Sequence, residues 1–262
     1  MHLSDILDTM RGEGTECSVE VGDDWGQGRA TFGGVVAAIG NEAMRRLVPH
    51  DRVLRSLQTT FVGPAVCGPW SISTRLLRVG RAVSTVQCEI STRGEVAAML
   101  LGVYGGARET SVHVPLTGSP PARPLDQINE VVIAFEGAPR FLQHFDVRWI
   151  EGPALFSGTR TAGRAFIRHR DPAPTTESHV VALSDCLPTP AMSMYSAPAP
   201  ASSLTWTLEF LDHTFDFGTN RWWRVEHDID AAKEGYVSQT GVLYNPNDVP
   251  AALSRQLVAI FG

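Results

Sequence analysis

Two periodicities divide the chain. Val36, Ile39, Ala43 and Leu47 recur at helical spacing and few charges fall on the first two turns, which predicts a helix over residues 35–47 buried on most sides. Downstream, alternation with period two predicts strands over 54–61, 68–79, 82–91 and 96–104, bounded by the turns Val79-Gly80-Arg81 and Thr92-Arg93-Gly94-Glu95. Upstream lie a short amphipathic piece at 3–10 and a strand-like alternation at 16–21. A helix followed by a meander of long antiparallel strands predicts an α+β fold with the helix across one sheet face.

The same order returns later in the chain. Strands are predicted at 145–150 and 164–170, residues 180–187 precede or begin a helix, and a proline-bearing loop spans 188–203. Strands at 204–211, 222–230, 235–244 and 251–261 follow, the last three joined by polar turns. The halves overlay with growing offsets: Leu57 on Leu204 (204 − 57 = 147), Val83 on Val237 (237 − 83 = 154) and Tyr104 on Phe261 (261 − 104 = 157). This predicts an internal duplication sharing one continuous sheet, with chance similarity between two apolar meanders as the alternative. The expected division is a first repeat at 1–106, a linker at 107–138 rich in Pro, Gly, Ser and Arg, and a second repeat at 139–262.

Composition narrows the function. With 43% hydrophobic and 19% charged residues the chain is expected to fold, and no apolar run approaches the ~20 residues of a membrane helix. The opening MHLSDILDTMRGEG lacks the basic-then-apolar order of a signal peptide, so a cytoplasmic protein is expected. Cys17, Cys67, Cys88 and Cys186 form no CxxC pair, so no metal and no cofactor is expected. A formal net charge of −6 gives no reason to expect nucleic acid as a partner.

Three features carry candidate chemistry. The glycine-rich stretch from Trp25 to Gly34 opens directly into the first helix, but nothing parallel follows, so it is no dinucleotide fingerprint. Gly33 and Gly34 instead permit close backbone approach, or present free N–H groups at a helix start to a ligand oxygen. Gln256 interrupts an apolar strand, and either it sits on a wet sheet face or its amide finds buried partners. Asp185, beside Ser184, either caps the second helix or acts as a base. Cys186 is a poor nucleophile beside a carboxylate, and no GxSxG elbow supports a serine hydrolase.

Taken together, Arg29-Ala30-Thr31-Phe32-Gly33-Gly34-Val35-Val36, Leu57-Gln58-Thr59-Thr60-Phe61, Val79-Gly80-Arg81-Ala82-Val83-Ser84-Thr85, Ser184-Asp185 and Ser254-Arg255-Gln256 resemble, in order and spacing, the double-hotdog acyl-CoA thioesterases, the group that includes bacterial thioesterase II. The resemblance covers nearly the whole chain. It implies two repeats, each a long helix packed on an antiparallel sheet, and hydrolysis of fatty acyl-CoA by direct attack of a water held by an Asp, a Gln and a hydroxyl residue. Carried over by position, the Asp falls on Asp185 and the Gln on Gln256. The hydroxyl, counted from Val225-Glu226, falls on Asp228, which departs from the pattern; Ser238 or Thr240 on the next strand is the alternative.

Aligned by the repeat, Met99 stands where Gln256 does (256 − 99 = 157), which implies one working site per pair of repeats. Arg78, Arg81 and Arg255 are candidates for CoA phosphates, with solvated arginines as the other reading. The competing function is a non-hydrolytic acyl-CoA or acyl-carrier binding protein with a degenerate site. An enoyl-type hydratase lacks support because no Asp-His pair follows Asp185. By analogy with hotdog proteins, a homo-oligomer is possible, and no membrane partner is expected.

Overall fold

The computed structural model describes residues 1–129, 138–152 and 155–261. In chain order the first elements are helix α1 (Leu3–Asp8), strand β1 (Glu16–Val21), a tiny hairpin β2 (Gly26–Gln27) and β3 (Ala30–Thr31), and helix α2 (Gly33–Arg45). The strands β4 (Val53–Phe61), β5 (Gly68–Val79), β6 (Val83–Thr92) and β7 (Glu95–Gly105) complete the first half. After a stretch whose residues 130–137 lie outside the described ones come β8 (Phe145–Glu151), β9 (Gly163–His169) and helix α3 (Glu177–Leu183). The strands β10 (Ala201–Phe210), β11 (Trp223–Lys233), β12 (Tyr236–Tyr244) and β13 (Pro250–Ile260) end the chain.

All strands but β2 and β3 form one 11-stranded sheet in the order β1-β5-β6-β7-β4-β10-β13-β12-β11-β9-β8. The order is nearly symmetric about the β4–β10 junction. Reading outward, β4-β7-β6-β5-β1 on one side matches β10-β13-β12-β11-β9 on the other, with β8 added at one edge. The fold is the α+β double hotdog expected, with a continuous sheet. One expectation needs revision: α2 has 13 residues, but α3 only 7. Pro188 and Pro190 follow α3 closely and cannot continue a helix.

Helix α2 is held by burial rather than by propensity. Ten of its 13 residues are buried, including Val35, Val36, Ile39 and Met44. Such side chains contribute about 1.5–3 kcal/mol each, which outweighs the ~1 kcal/mol cost of an interior glycine such as Gly40. Its N-terminal end is roofed by aromatic rings: Phe32 stacks on Phe141 with centroids 4.0 Å apart, and Trp25 on His144 at 3.9 Å.

Register joins the two halves through one buried row of side chains. Cys88 pairs with Leu100, Leu100 with Thr59, Thr59 with Trp206, Trp206 with Gln256, Gln256 with Gln239, and Gln239 with Ile229. None of these seven residues is more than 8% exposed. Leu100, and not Met99, therefore holds the place symmetric to Gln256. The repeat alignment was one residue out, and in a strand a one-residue slip exchanges the two faces.

Candidate active site

Asp185 lies two residues beyond α3, after the cap residue Ser184, whose hydroxyl donates to the Val180 carbonyl at 2.8 Å. It caps no helix of its own. The helix start it faces is that of α2, whose Gly34 N–H favours the charged form of its carboxylate. The sequence forces this approach open: a Cβ on Gly33 would come within 2.8 Å of Asp185 Oδ2, and one on Gly34 within 2.7 Å of the Ala182 carbonyl oxygen. Glycine is what lets the loop after α3 reach the first turn of α2.

The carboxylate's other partner is the amide of Gln256, which donates from Nε2 to Oδ1 at 2.6 Å. Gln256 Oε1 in turn accepts from Gln239 Nε2 at 2.6 Å. Both amides are nearly inaccessible, at 4% and 2% exposure, so Gln256 is not on a wet face. The chain of donors runs one way, Gln239 to Gln256 to Asp185, and it is matched to an ionised carboxylate. Burial is the larger influence on Asp185 and pushes its carboxyl up to about 7, against the two hydrogen bonds that favour the charged form. The Cys186 thiol, buried beside that carboxylate, is held well above its usual range and is no nucleophile.

Asp228 is not brought to this site. It pairs in register with Thr240, and Thr240 with Arg255, a row whose side chains point to the opposite face from Gln239 and Gln256. Its side chain is 59% exposed and lies 3.3 Å from Arg164. Ser238 and Thr240 share that outer face: Ser238 Oγ accepts from Arg255, and Thr240 Oγ1 donates to Asp230 at 3.0 Å. None of the three supplies a hydroxyl or a second carboxylate to Asp185. The N–H groups of Asp185 and Cys186 are spent on the Ala182 and Leu183 carbonyls and are not free for a ligand oxygen. Gly34 faces Asp185, and Gly33, the first residue of α2, presents an N–H that has no intrahelical acceptor.

Sequence reasoning missed Gln239, although Val237, Gln239 and Gly241 alternate with Ser238, Thr240 and Val242, which assigns the glutamine to the apolar face. Its Oε1 is buried and has no partner among the described residues, and the same holds for Nδ1 of His227 two residues away on the neighbouring strand. Near-symmetry also exposes a second position. Adding 144 carries Gly33-Gly34 to Glu177-Ser178 and Asn41 to Asp185 (177 − 33 = 144; 185 − 41 = 144). There Asn41 Nδ2 donates to Glu177 Oε1 at 3.1 Å, and Tyr104 donates to Asn41 Oδ1 at 2.8 Å. Glu177 Oε2 accepts from the Leu54 N–H at 3.0 Å. A neutral amide thus replaces the aspartate, Leu100 replaces Gln256, and Tyr104 and Glu177 hold the amide.

A sheet of this order with a helix packed against its strands is the hotdog architecture, and comparison with solved structures gives the same class. A conserved protein of unknown function with a hot dog fold from Alicyclobacillus acidocaldarius matches with TM-score 0.88 and 23% identity, over 100% of this chain and 99% of that one. An acyl-CoA thioesterase II from Mycobacterium marinum matches with TM-score 0.77 and 19% identity, over 99% of this chain and 98% of that one. No protein of curated function matches significantly in sequence. Two family models do: the acyl-CoA thioesterase N-terminal domain over residues 21–105 and the acyl-CoA thioesterase C-terminal domain over residues 115–260. The chain belongs to the acyl-CoA thioesterase family.

Proposed function

We propose that this chain hydrolyses fatty acyl-CoA to free acid and CoA by direct attack of water, at one site built around Asp185. The observation that carries the reading is a buried carboxyl tied to Gln256 at 2.6 Å and facing the start of α2, where burial pushes it up to about 7. A group titrating there is a base at neutral pH, and its conjugate acid is strong enough to return the proton. Asp185 takes a proton from water as the water oxygen adds to the thioester carbonyl. The Gly33 N–H and the positive end of α2 stabilise the resulting oxyanion. Collapse breaks the carbon–sulfur bond, and the proton held by Asp185 leaves with the CoA thiolate.

In this scheme Gln256 orients the carboxylate and Gln239 orients Gln256. The unpartnered Gln239 Oε1 is an acceptor suited to the second hydrogen of the water. An asparagine at position 41, where the second half has the aspartate, and its hydrogen bond from Tyr104 support one working site per chain. The test is release of free CoA from a panel of acyl-CoA chain lengths. Turnover with any member supports the reading, and binding without release across the whole panel overturns it.

A further inference from the structure

The sheet face beside Asp185 is covered differently in the two halves. In the first, the 13 residues of α2 cover it. In the second, α3 stops at Leu183, and the chain instead lays a single 3-10 turn, Pro190–Met194, over the sheet. That turn is pinned from outside by backbone bonds of 3.0 Å from Phe156 to Met192, Thr159 to Ser193 and Gly158 to Tyr195. Beneath it Ala191 and Ala199 meet Ile229, Val237, Val258 and Ile260 in an apolar cluster separate from the main core, with Tyr195 packed at its side.

This cluster starts where the hydrogen-bonded chain ends. Ile229 pairs in register with Gln239, and Val237 and Val258, themselves paired, lie two residues along from Gln239 and Gln256. At ~3.4 Å per residue that is a step of about 7 Å. Further along, a cleft of about 310 Å³ opens between Ala191, Met194, Tyr195, Tyr236 and Val237. Its rim is wet and mostly apolar, with Met194 at 47% and Tyr236 at 52% exposure and the charged Lys233 beside them. An apolar seam therefore runs from the carboxylate's amide partners to solvent, roofed by small side chains on a short turn.

We propose that this seam takes the acyl chain of the thioester, with Ala191 and Val237 as its walls and Tyr195 at its mouth setting the length accepted. The inference rests on the thioesterase reading for the identity of the ligand, an unbranched acyl group. It requires that turn and sheet part by the width of a hydrocarbon chain, which costs apolar contacts that the chain itself restores on binding.

The test measures binding, so that it does not depend on turnover. Titration calorimetry with the Asp185→Asn protein, using CoA and saturated acyl-CoAs from butanoyl to dodecanoyl, is expected to show affinity rising about four-fold per methylene, the equivalent of about 0.8 kcal/mol, up to a plateau. Adding Ala191→Phe should bring the plateau to a shorter chain, and Tyr195→Ala should move it to a longer one. Equal affinity for CoA and every acyl-CoA overturns the proposal. So does a length profile that both variants leave unchanged. If the wild-type protein releases no CoA while the length profile holds, the hydrolytic reading fails and the seam stands.

Discussion

Gln256 reaches Asp185 at 2.6 Å from the last strand of the sheet, joining residues 71 positions apart in sequence. Replacing the amide leaves the Asp185 carboxylate without this donor and the Gln239 amide without its acceptor. Gln256→Leu is expected to lower kcat by about 10–100-fold, because an unheld carboxylate aims poorly. Gln239→Leu should lower kcat by a smaller factor with KM little changed, and Gln239→Glu should not restore it, since Gln256 needs an amide donor. Steady-state kinetics on a medium-chain acyl-CoA separate these outcomes; a Gln239→Leu effect on KM alone would remove its positioning role.

Asp228 should be dispensable for chemistry. Its side chain is on the outer face against Arg164, a partly exposed pair worth at most about 1 kcal/mol. Asp228→Ala is expected to leave kcat/KM within about two-fold of wild type in the same assay.

The Asp185 carboxyl links activity and stability to pH in opposite directions. As a base it must be ionised, so kcat/KM should rise with pH to a plateau, with a midpoint of about 7. For stability, the folded carboxyl holds a proton up to about 7 where the unfolded one has lost it near 3.8. Stability is therefore greatest below this window and falls as pH rises through it, by on the order of 4 kcal/mol. Asp185→Asn removes that loss, and denaturant unfolding at pH 8 should find the variant more stable than wild type.

Buried histidines act the other way. Burial alone holds His227 down to about 4, against 6.5 when exposed, with its ring against Gly241. As pH falls below 6.5 the unfolded chain takes a proton that the folded one refuses, so stability is lost on acidification toward pH 4, by on the order of 3 kcal/mol for this residue. His144 and His169 are lowered chiefly by burial too, to about 4 and about 3. In unfolding measurements from pH 7 to pH 4, His227→Phe should flatten the acid loss and Asp185→Asn should steepen it.

Much of this was legible in the chain. The period of Val36, Ile39 and Ala43 located α2, and strand alternation located the sheet, because one buried face imposes a strict pattern. Asp185 and Gln256 were found through a resemblance, and their contact could not have been read from spacing, since it depends on a strand and a loop from opposite ends of the second half. The misplacement of Asp228 had a cue that went unused: Trp223, Val225, His227 and Ile229 are the inward set, which puts the residue between the last two outward. The helix α3 had one as well. Thr176 and Glu177 begin it, with the Thr176 hydroxyl 2.8 Å from His179 Nδ1, and Pro188 soon forbids its continuation. What no pattern in one sequence reveals is that the loop after α3 meets the start of α2.

The central claim is that Asp185 is the base, and one comparison tests it most directly: free CoA release from octanoyl-CoA by wild type and by Asp185→Asn, with octanoyl-CoA affinity measured on both. The account predicts a loss of about 100-fold or more in kcat with affinity retained. Activity of the variant within a few-fold of wild type would contradict it.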